Sequence, residues 1–402
     1  DFAPVADVNT NPENPVIGLR SFGDDPARVG AHVAAAIDGL HAAGIASAAK
    51  HFPGHGDTSA DSHLAPVATT RDAAHLRRVE LAPFRAAIDA RVDLIMTGHV
   101  SAPALDPSGA PATLSKALVQ GVLRDELGFN GVVCTDDMVM AGIASRYSIA
   151  QASVLAIDAG ADLLVFSELD AAREGLDALR AAVRDGRLKP DRVAASLARV
   201  ETLRWRTAQR VPDEDAPPID SATLTRDVAQ RSVCVVRASV GIPPLSLPAG
   251  ARVFVVNFIE GGPAKSTGAR VESVLGKMLA AAGLHVSEQL RDLEPAGHEY
   301  KQLLMAAGNA DAFVAVTRRA FVHRLQAQAV VDLALFGKPI VAIAALEPYD
   351  ATHLPDGVAV IATFGDGDDE LAAAGAVLLG TAPALGRLPV VLGASPQVAG
   401  TS

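Results

Sequence analysis

The chain has 402 residues, 49% of them hydrophobic and 20% charged, enough to bury two substantial cores. A formal net charge of −11 with no basic patch excludes a nucleic-acid backbone as partner. The two cysteines, Cys134 and Cys234, lack metal-ligand spacing, and no apolar run reaches roughly 18 residues, so a cytoplasmic protein without disulfides or a membrane span is expected.

Along the first half, short apolar runs alternate with helical patterns, the rhythm of βα units. Strands are expected at 1–8, 45–52, 92–99, 131–136 and 162–167, and helices near 26–43, 72–90, 115–127, 148–159, 171–184 and 191–208. His51, His99, Asp136 and Glu168 fall at or just past the strand ends, and Arg20 follows the first strand after a loop holding Asn9, Asn11, Pro12 and Asn14. A polar, proline-rich stretch then predicts a linker over 211–224, between a first domain of 1–210 and a second of 225–402. In the second domain, strands near 251–258, 284–288, 311–317, 338–345 and 358–363 predict an αβα sandwich. A closed (β/α)8 barrel needs eight strands and typically about 250 residues. The first domain supplies fewer, so further βα units are expected before Asp1.

Two clusters carry the chemistry. Lys50-His51-Phe52-Pro53-Gly54-His55-Gly56-Asp57 with Asp61-Ser62-His63 is the denser. Its histidines match no standard zinc spacing, and a plain solvated loop is the bland alternative. As a substrate loop, Lys50 and His51 would project donors from the strand end, while Gly54 and Gly56 let backbone approach a ligand. Asp61 and His63, two apart, can pair, with the carboxylate setting the imidazole tautomer. The second cluster, Gly131-Val132-Val133-Cys134-Thr135-Asp136-Asp137, ends in adjacent carboxylates. Neighbours in a strand face opposite ways, so one aims into the barrel mouth and the other is expected to cap the following helix. Cys134 reads as a buried small hydrophobe. Asp366 to Glu370 reads as an acidic turn before a helix, Gly261-Gly262-Pro263 as a weak anion-binding turn, and His323 and Glu347 as surface residues without partners.

With these residues in view, the resemblance is specific. The Lys50–Asp57 and Asp61–His63 segments resemble family 3 glycoside hydrolases of the β-N-acetylglucosaminidase branch. The runs Asp1–Val8, Gly18-Leu19-Arg20-Ser21-Phe22 and Thr135-Asp136-Asp137-Met138 look like the same family in the same order, closely over 1–205 and more loosely over 225–402. An Asp-containing segment that the family uses to grip the sugar has no counterpart in the chain.

The resemblance implies a TIM-type barrel plus an α/β sandwich, acting as a retaining exo-β-N-acetylglucosaminidase on glycans such as peptidoglycan-derived muropeptides. It implies Asp136 as nucleophile, His63 as general acid/base, Asp61 as its partner, and Arg20, Lys50 and His51 as groups binding sugar hydroxyls. No metal or organic cofactor is expected, and no nucleic-acid partner. The alternatives are a phosphorylase using the same site and a catalytically silent sugar-binding protein.

Overall fold

The computed structural model describes residues 1–211, 219–261 and 273–393. The chain divides into two compact units, Asp1–Ala216 and Pro217–Ser402. Half of the stretch expected as linker, 212–218, and Gly262-Pro263 of the suggested anion-binding turn lie outside the described residues.

In the first unit, four parallel strands lie in the order β1 (Ala48–Phe52), β2 (Leu94–Thr97), β3 (Val132–Asp137) and β4 (Leu163–Val165). The run expected as a strand at 1–8 lies beside β1: Ala6 N–H donates to the Lys50 carbonyl (2.6 Å) and Lys50 N–H to the Pro4 carbonyl (3.1 Å). It forms only one bridge, Val5 to Lys50, because Pro4 has no N–H to offer and Asp7 turns to other partners. The helices follow local signals. Asp25 caps α1 (Pro26–Ala42) by accepting from Arg28 N–H, with proline at the first helical position. Ser148 and Gln151 form a capping box on α5 (Ile149–Ala159).

The expected helix at 72–90 is two, α2 (Ala73–Arg78) and α3 (Ala82–Asp89), with Pro83 opening the second. Between β2 and β3, α4 (Ala117–Glu126) closes with wide turns, as in Leu127 N–H to the Val122 carbonyl. The helices α6 (Leu169–Arg184) and α7 (Pro190–Gln209) complete the unit.

Both sheet faces are covered, so its strands are apolar on both sides. Ala49, Ile95 and Val133 pack in one core with Val29, Val33 and Phe84, while Ala48, Leu94, Met96, Val132 and Cys134 pack with Val200 and Leu203 of α7. Cys134 is fully buried, as expected for a small apolar residue. At the amino edge of the strands, buried Asp93 is paired with Arg210 (2.8 Å) and buried Asp162 with Arg124 (2.7 Å). That edge is built for stability, and the carboxyl edge is left for chemistry.

The second unit is a six-stranded sheet in the order β5 (Cys234–Arg237), β10 (Ala359–Ala362), β9 (Ile340–Ala344), β8 (Ala312–Thr317), β6 (Arg252–Ile259), β7 (His285–Asp292). All neighbours pair in parallel except β5, an antiparallel edge strand that the sequence reading did not anticipate. Alternate residues feed two cores: Val253, Val255, Val314 and Ile343 face α8 (Ser221–Ser232), α9 (Val274–Ala281) and α12 (Asp368–Leu378). Phe254, Val256, Phe258, Phe313 and Ala342 face α10 (Gly297–Ala307) and α11 (Arg324–Ala334).

Two expectations fail here. Glu347 is not on the surface but 7% exposed, against Arg319, and His323 pairs with Glu294 at 3.4 Å. Both follow β8 or β9, where the carboxyl edge draws polar side chains together, a placement that local sequence does not encode. Asp366 precedes α12 as expected, and its carboxylate is held by Arg318 at 2.8 Å.

Candidate active site

Strand register brings the two clusters together. Lys50 pairs with Met96 and Met96 with Cys134, so the three lie level across the sheet. Asp136 is two residues beyond Cys134, hence on the same face one step nearer the carboxyl edge. Register slips between Lys50 and Phe52. Such a bulge re-aims the residue within it, and His51 Nε2 lies 4.0 Å from Asp136 Oδ2 and 3.4 Å from Arg20 Nη2. Lys50 is half-buried; its ammonium is pushed down first by burial and then by Arg20, while Asp136 pulls the other way. Asp136, His51, Lys50 and Arg20 therefore form one polar cluster at the end of β1 and β3. The Asp136 side chain keeps 19% exposure, open enough to meet a ligand.

Asp7 was not singled out from the sequence, yet it organises this cluster. Fully buried, its Oδ2 accepts a hydrogen bond from His51 Nδ1 at 2.7 Å, and its Oδ1 accepts from the backbone N–H of His51 (3.2 Å) and His55 (2.8 Å). Burial alone would raise its pKa, but the charge and hydrogen bonds of His51, with help from His55, outweigh that and hold it below the ordinary range. A carboxylate on Nδ1 leaves Nε2 directed at Arg20 and Asp136.

The glycine-rich loop is stitched to the 9–20 loop. Asn14, also unanticipated, donates to the carbonyls of His55 (2.8 Å) and Thr58 (3.0 Å), and accepts from Val16 and Ile17 N–H. At Gly56 a Cβ would lie 1.9 Å from the Val8 carbonyl oxygen, so only glycine permits the approach. His55 is spent on structure. Its ring bonds Thr58 Oγ1 (2.6 Å) and Ser62 Oγ (3.0 Å), and burial depresses its pKa.

Asp61 and His63 form the anticipated pair: Asp61 Oδ1 accepts from His63 N–H at 2.8 Å and lies 2.7 Å from His63 Nδ1. Burial acts to raise the Asp61 pKa, but these bonds from His63 lower it overall. His63 is exposed, its side chain 54% accessible. The loop carrying the pair docks on the turn after β3, where Gly142 N–H donates to the Ser62 carbonyl (2.9 Å) and Ala141 N–H to that of His63 (3.4 Å). The dyad is thus anchored beside the strand end that bears Asp136, with no ion pair between His63 and Asp136 among the described residues.

Asp137 takes the capping role, though on loops rather than a helix. Its Oδ1 accepts Val139 N–H (3.3 Å) and Ser167 N–H (3.0 Å). Buried His99 locks this turn, bonding the Asp137 carbonyl and Thr113 Oγ1, each at 2.8 Å, and burial lowers its pKa. Glu168 merely precedes α6, with no capping bond from its side chain.

Beneath the loop lies Glu80, 1% exposed, neither carboxyl oxygen hydrogen-bonded, its Oε2 2.4 Å from where a Cβ on Gly54 would stand. Burial, then repulsion from Asp7 and Asp57, holds its carboxyl well above the usual range, and Arg71 offsets this only in part. In the unfolded chain it ionises near pH 4.3, about its unperturbed value. Above that pH the folded form holds a proton the unfolded form has lost, so stability falls as pH rises. Glu80→Gln removes this slope. Thermal melts from pH 4 to 8 are expected to show the variant gaining on the parent from about pH 4.3 upward; a pH-independent gap means an ionised Glu80.

Comparison with known proteins places this geometry. Residues 1–203 match the glycosyl hydrolase family 3 N terminal domain. A beta-N-acetylglucosaminidase/beta-glucosidase of Cellulomonas fimi is 30% identical over 97% of this chain and 73% of its own length. A beta-hexosaminidase of Mycobacterium tuberculosis is 40% identical over 51% of this chain; the chain spans 53% of that relative. A family 3 beta-N-acetylglucosaminidase from Paenibacillus sp. superposes with a TM-score of 0.86 at 34% identity, covering 98% of this chain and 76% of that one. The two units, one with a barrel-like sheet bearing the Lys50–Asp57 loop and one with a sandwich sheet, agree with these matches, and the chain belongs to glycoside hydrolase family 3.

Proposed function

We propose that the protein is a retaining exo-β-N-acetylglucosaminidase that removes terminal β-linked N-acetylglucosamine, with peptidoglycan-derived muropeptides as its source. The single observation that carries the reading is the meeting of Asp136 with Lys50, His51 and Arg20 at one strand edge, beside a loop-borne Asp61–His63 dyad. A carboxylate below the sugar ring stabilises an oxocarbenium-like transition state and captures it as a glycosyl ester. Lys50, His51 and Arg20 supply donors to ring hydroxyls, with His51 held in one tautomer by Asp7.

His63 serves as the acid that protonates the leaving oxygen and then as the base that activates water. An imidazole exchanges protons near neutrality, and Asp61 on Nδ1 leaves Nε2 to do so. The relatives named for β-N-acetylglucosaminides and hexosaminides support the substrate class. Two buried free thiols fit a reducing cytoplasm, and among the described residues no helix is long and apolar enough to cross a membrane.

Leaving-group dependence tests the acid/base role. His63→Ala should lose about 10²–10⁴-fold on alkyl or sugar glycosides, and much less on activated aryl glycosides, whose leaving groups need little protonation. Asp61→Ala should follow the same pattern more mildly. Equal losses on both substrate types would reduce His63 to a loop-capping residue. Running the assay with and without inorganic phosphate separates hydrolysis from phosphorolysis, since only the latter yields the sugar 1-phosphate.

A further inference from the structure

The second unit carries a polar cluster that the chemistry of the first does not use. Its sheet reverses strand order at β6: the chain goes outward to β7, then returns to place β8 on the other side of β6. Crevices at the carboxyl ends of such neighbouring strands bind ligands in open α/β sheets.

Just past β8, Arg319 has φ 54°, the left-handed region that costs a non-glycine residue. Its surroundings hold it there. Gln326 accepts from Arg318 N–H (2.8 Å) and donates to the Arg318 carbonyl (2.9 Å). Arg319's own carbonyl accepts from Val322 and His323 N–H, both at 2.8 Å. Buried Asp350 ties Thr317 Oγ1 (2.6 Å) to Phe321 N–H (3.3 Å).

So held, the Arg319 guanidinium lies 5.5 Å over the Phe321 ring, with 27% of its side chain exposed. Its neighbour Arg318 is consumed by Asp366, Asn257 and the Phe258 carbonyl. Arg319 makes no hydrogen bond with its side chain among the described residues; only Glu347 Oε1 lies near, 3.5 Å from Nε. Glu347 is 7% exposed and its Oε2 has no partner.

We infer that Arg319, Glu347 and the Phe321 ring form a binding site for a small oxyanion, a carboxylate or phosphate group, at the carboxyl edge of the second unit's sheet. Two unused guanidinium N–H groups match two oxygens of such an anion. Burial lifts the Glu347 carboxyl above its usual range despite Arg319. Its residues all belong to the second unit, and the reaction proposed for the first unit's residues uses none of them.

The test is titration of the 402-residue chain at low ionic strength with inorganic phosphate and, separately, with acetate, chloride serving as ionic-strength control. Saturable binding of at least one anion is expected, and which one binds identifies the source chemistry. Arg319→Gly should raise Kd at least about tenfold while leaving Tm unchanged or higher, since glycine accepts the positive φ. Glu347→Gln should bind within about threefold of the parent. An arginine kept only for packing predicts a lower Tm in Arg319→Gly and no change in anion affinity. That result, or no saturable binding of either anion by the parent chain, overturns the site.

Discussion

Asp136→Asn is expected to abolish turnover, by about 10⁴-fold or more in kcat as for other groups that carry bond-making, with folding intact. The side chain is partly open and its one hydrogen bond, Oδ1 accepting from Asp137 N–H at 2.8 Å, survives in the amide. What the amide cannot do is form the glycosyl ester. An activated fluorosugar should label the parent protein on the peptide spanning β3, and mass spectrometry of the digest reads the position. Label on Asp137 would contradict its place, since its Oδ1 is already held by Val139 and Ser167 N–H. No covalent adduct with any activated inhibitor would point to a mechanism without an enzyme ester.

Asp7→Ala should be the most damaging change to the fold of the first unit. It removes the acceptor for three donors at once, His51 Nδ1–H and the N–H groups of His51 and His55, all buried. Losing one side of a buried charged pair costs about 3–5 kcal/mol, which for a unit of this size lowers Tm by about 6–20 °C. Turnover should fall too, because His51 loses its tautomer lock; Asp7→Asn, which restores an acceptor, should recover most of the stability but little of the rate. The sign of the pH dependence follows from the depressed pKa of Asp7. Its stabilising effect is present above the unfolded-chain value of about 3.9 and is lost as pH falls below it. Melts of parent and Asp7→Ala should therefore converge in acid. A gap that persists unchanged below about pH 3 would show that packing, not charge, holds this position.

The two predictions differ in how visible their residues were. Asp136 announced itself: an apolar run ending in Thr135-Asp136-Asp137 is a strand delivering a carboxylate to an edge. Asp61 and His63 were legible because a pair two residues apart closes locally, needing no distant partner. Asp7, Asn14 and Glu80 were not legible. Each is an ordinary polar residue whose role rests on partners 41 or more residues away or, for Glu80, on the lack of any hydrogen-bond partner. Asp7 carried one faint cue, a lone carboxylate at the end of the 1–8 run, but nothing local ties it to His51.

Alternation of apolar runs and helical periods was enough to determine parallel strands, their order of appearance and most helix bounds. These are short-range properties, set by side-chain periodicity, capping residues and proline. The tertiary structure alone decided which strand ends became neighbours. It put Lys50 level with Cys134 and so beside Asp136, gave the 1–8 run a single bridge instead of a ladder, and added β5 as an antiparallel edge. It also drew Glu347 out of its expected surface setting to the side of Arg319. Register and burial are sums over contacts between distant segments, and no window of sequence contains both partners of such a contact.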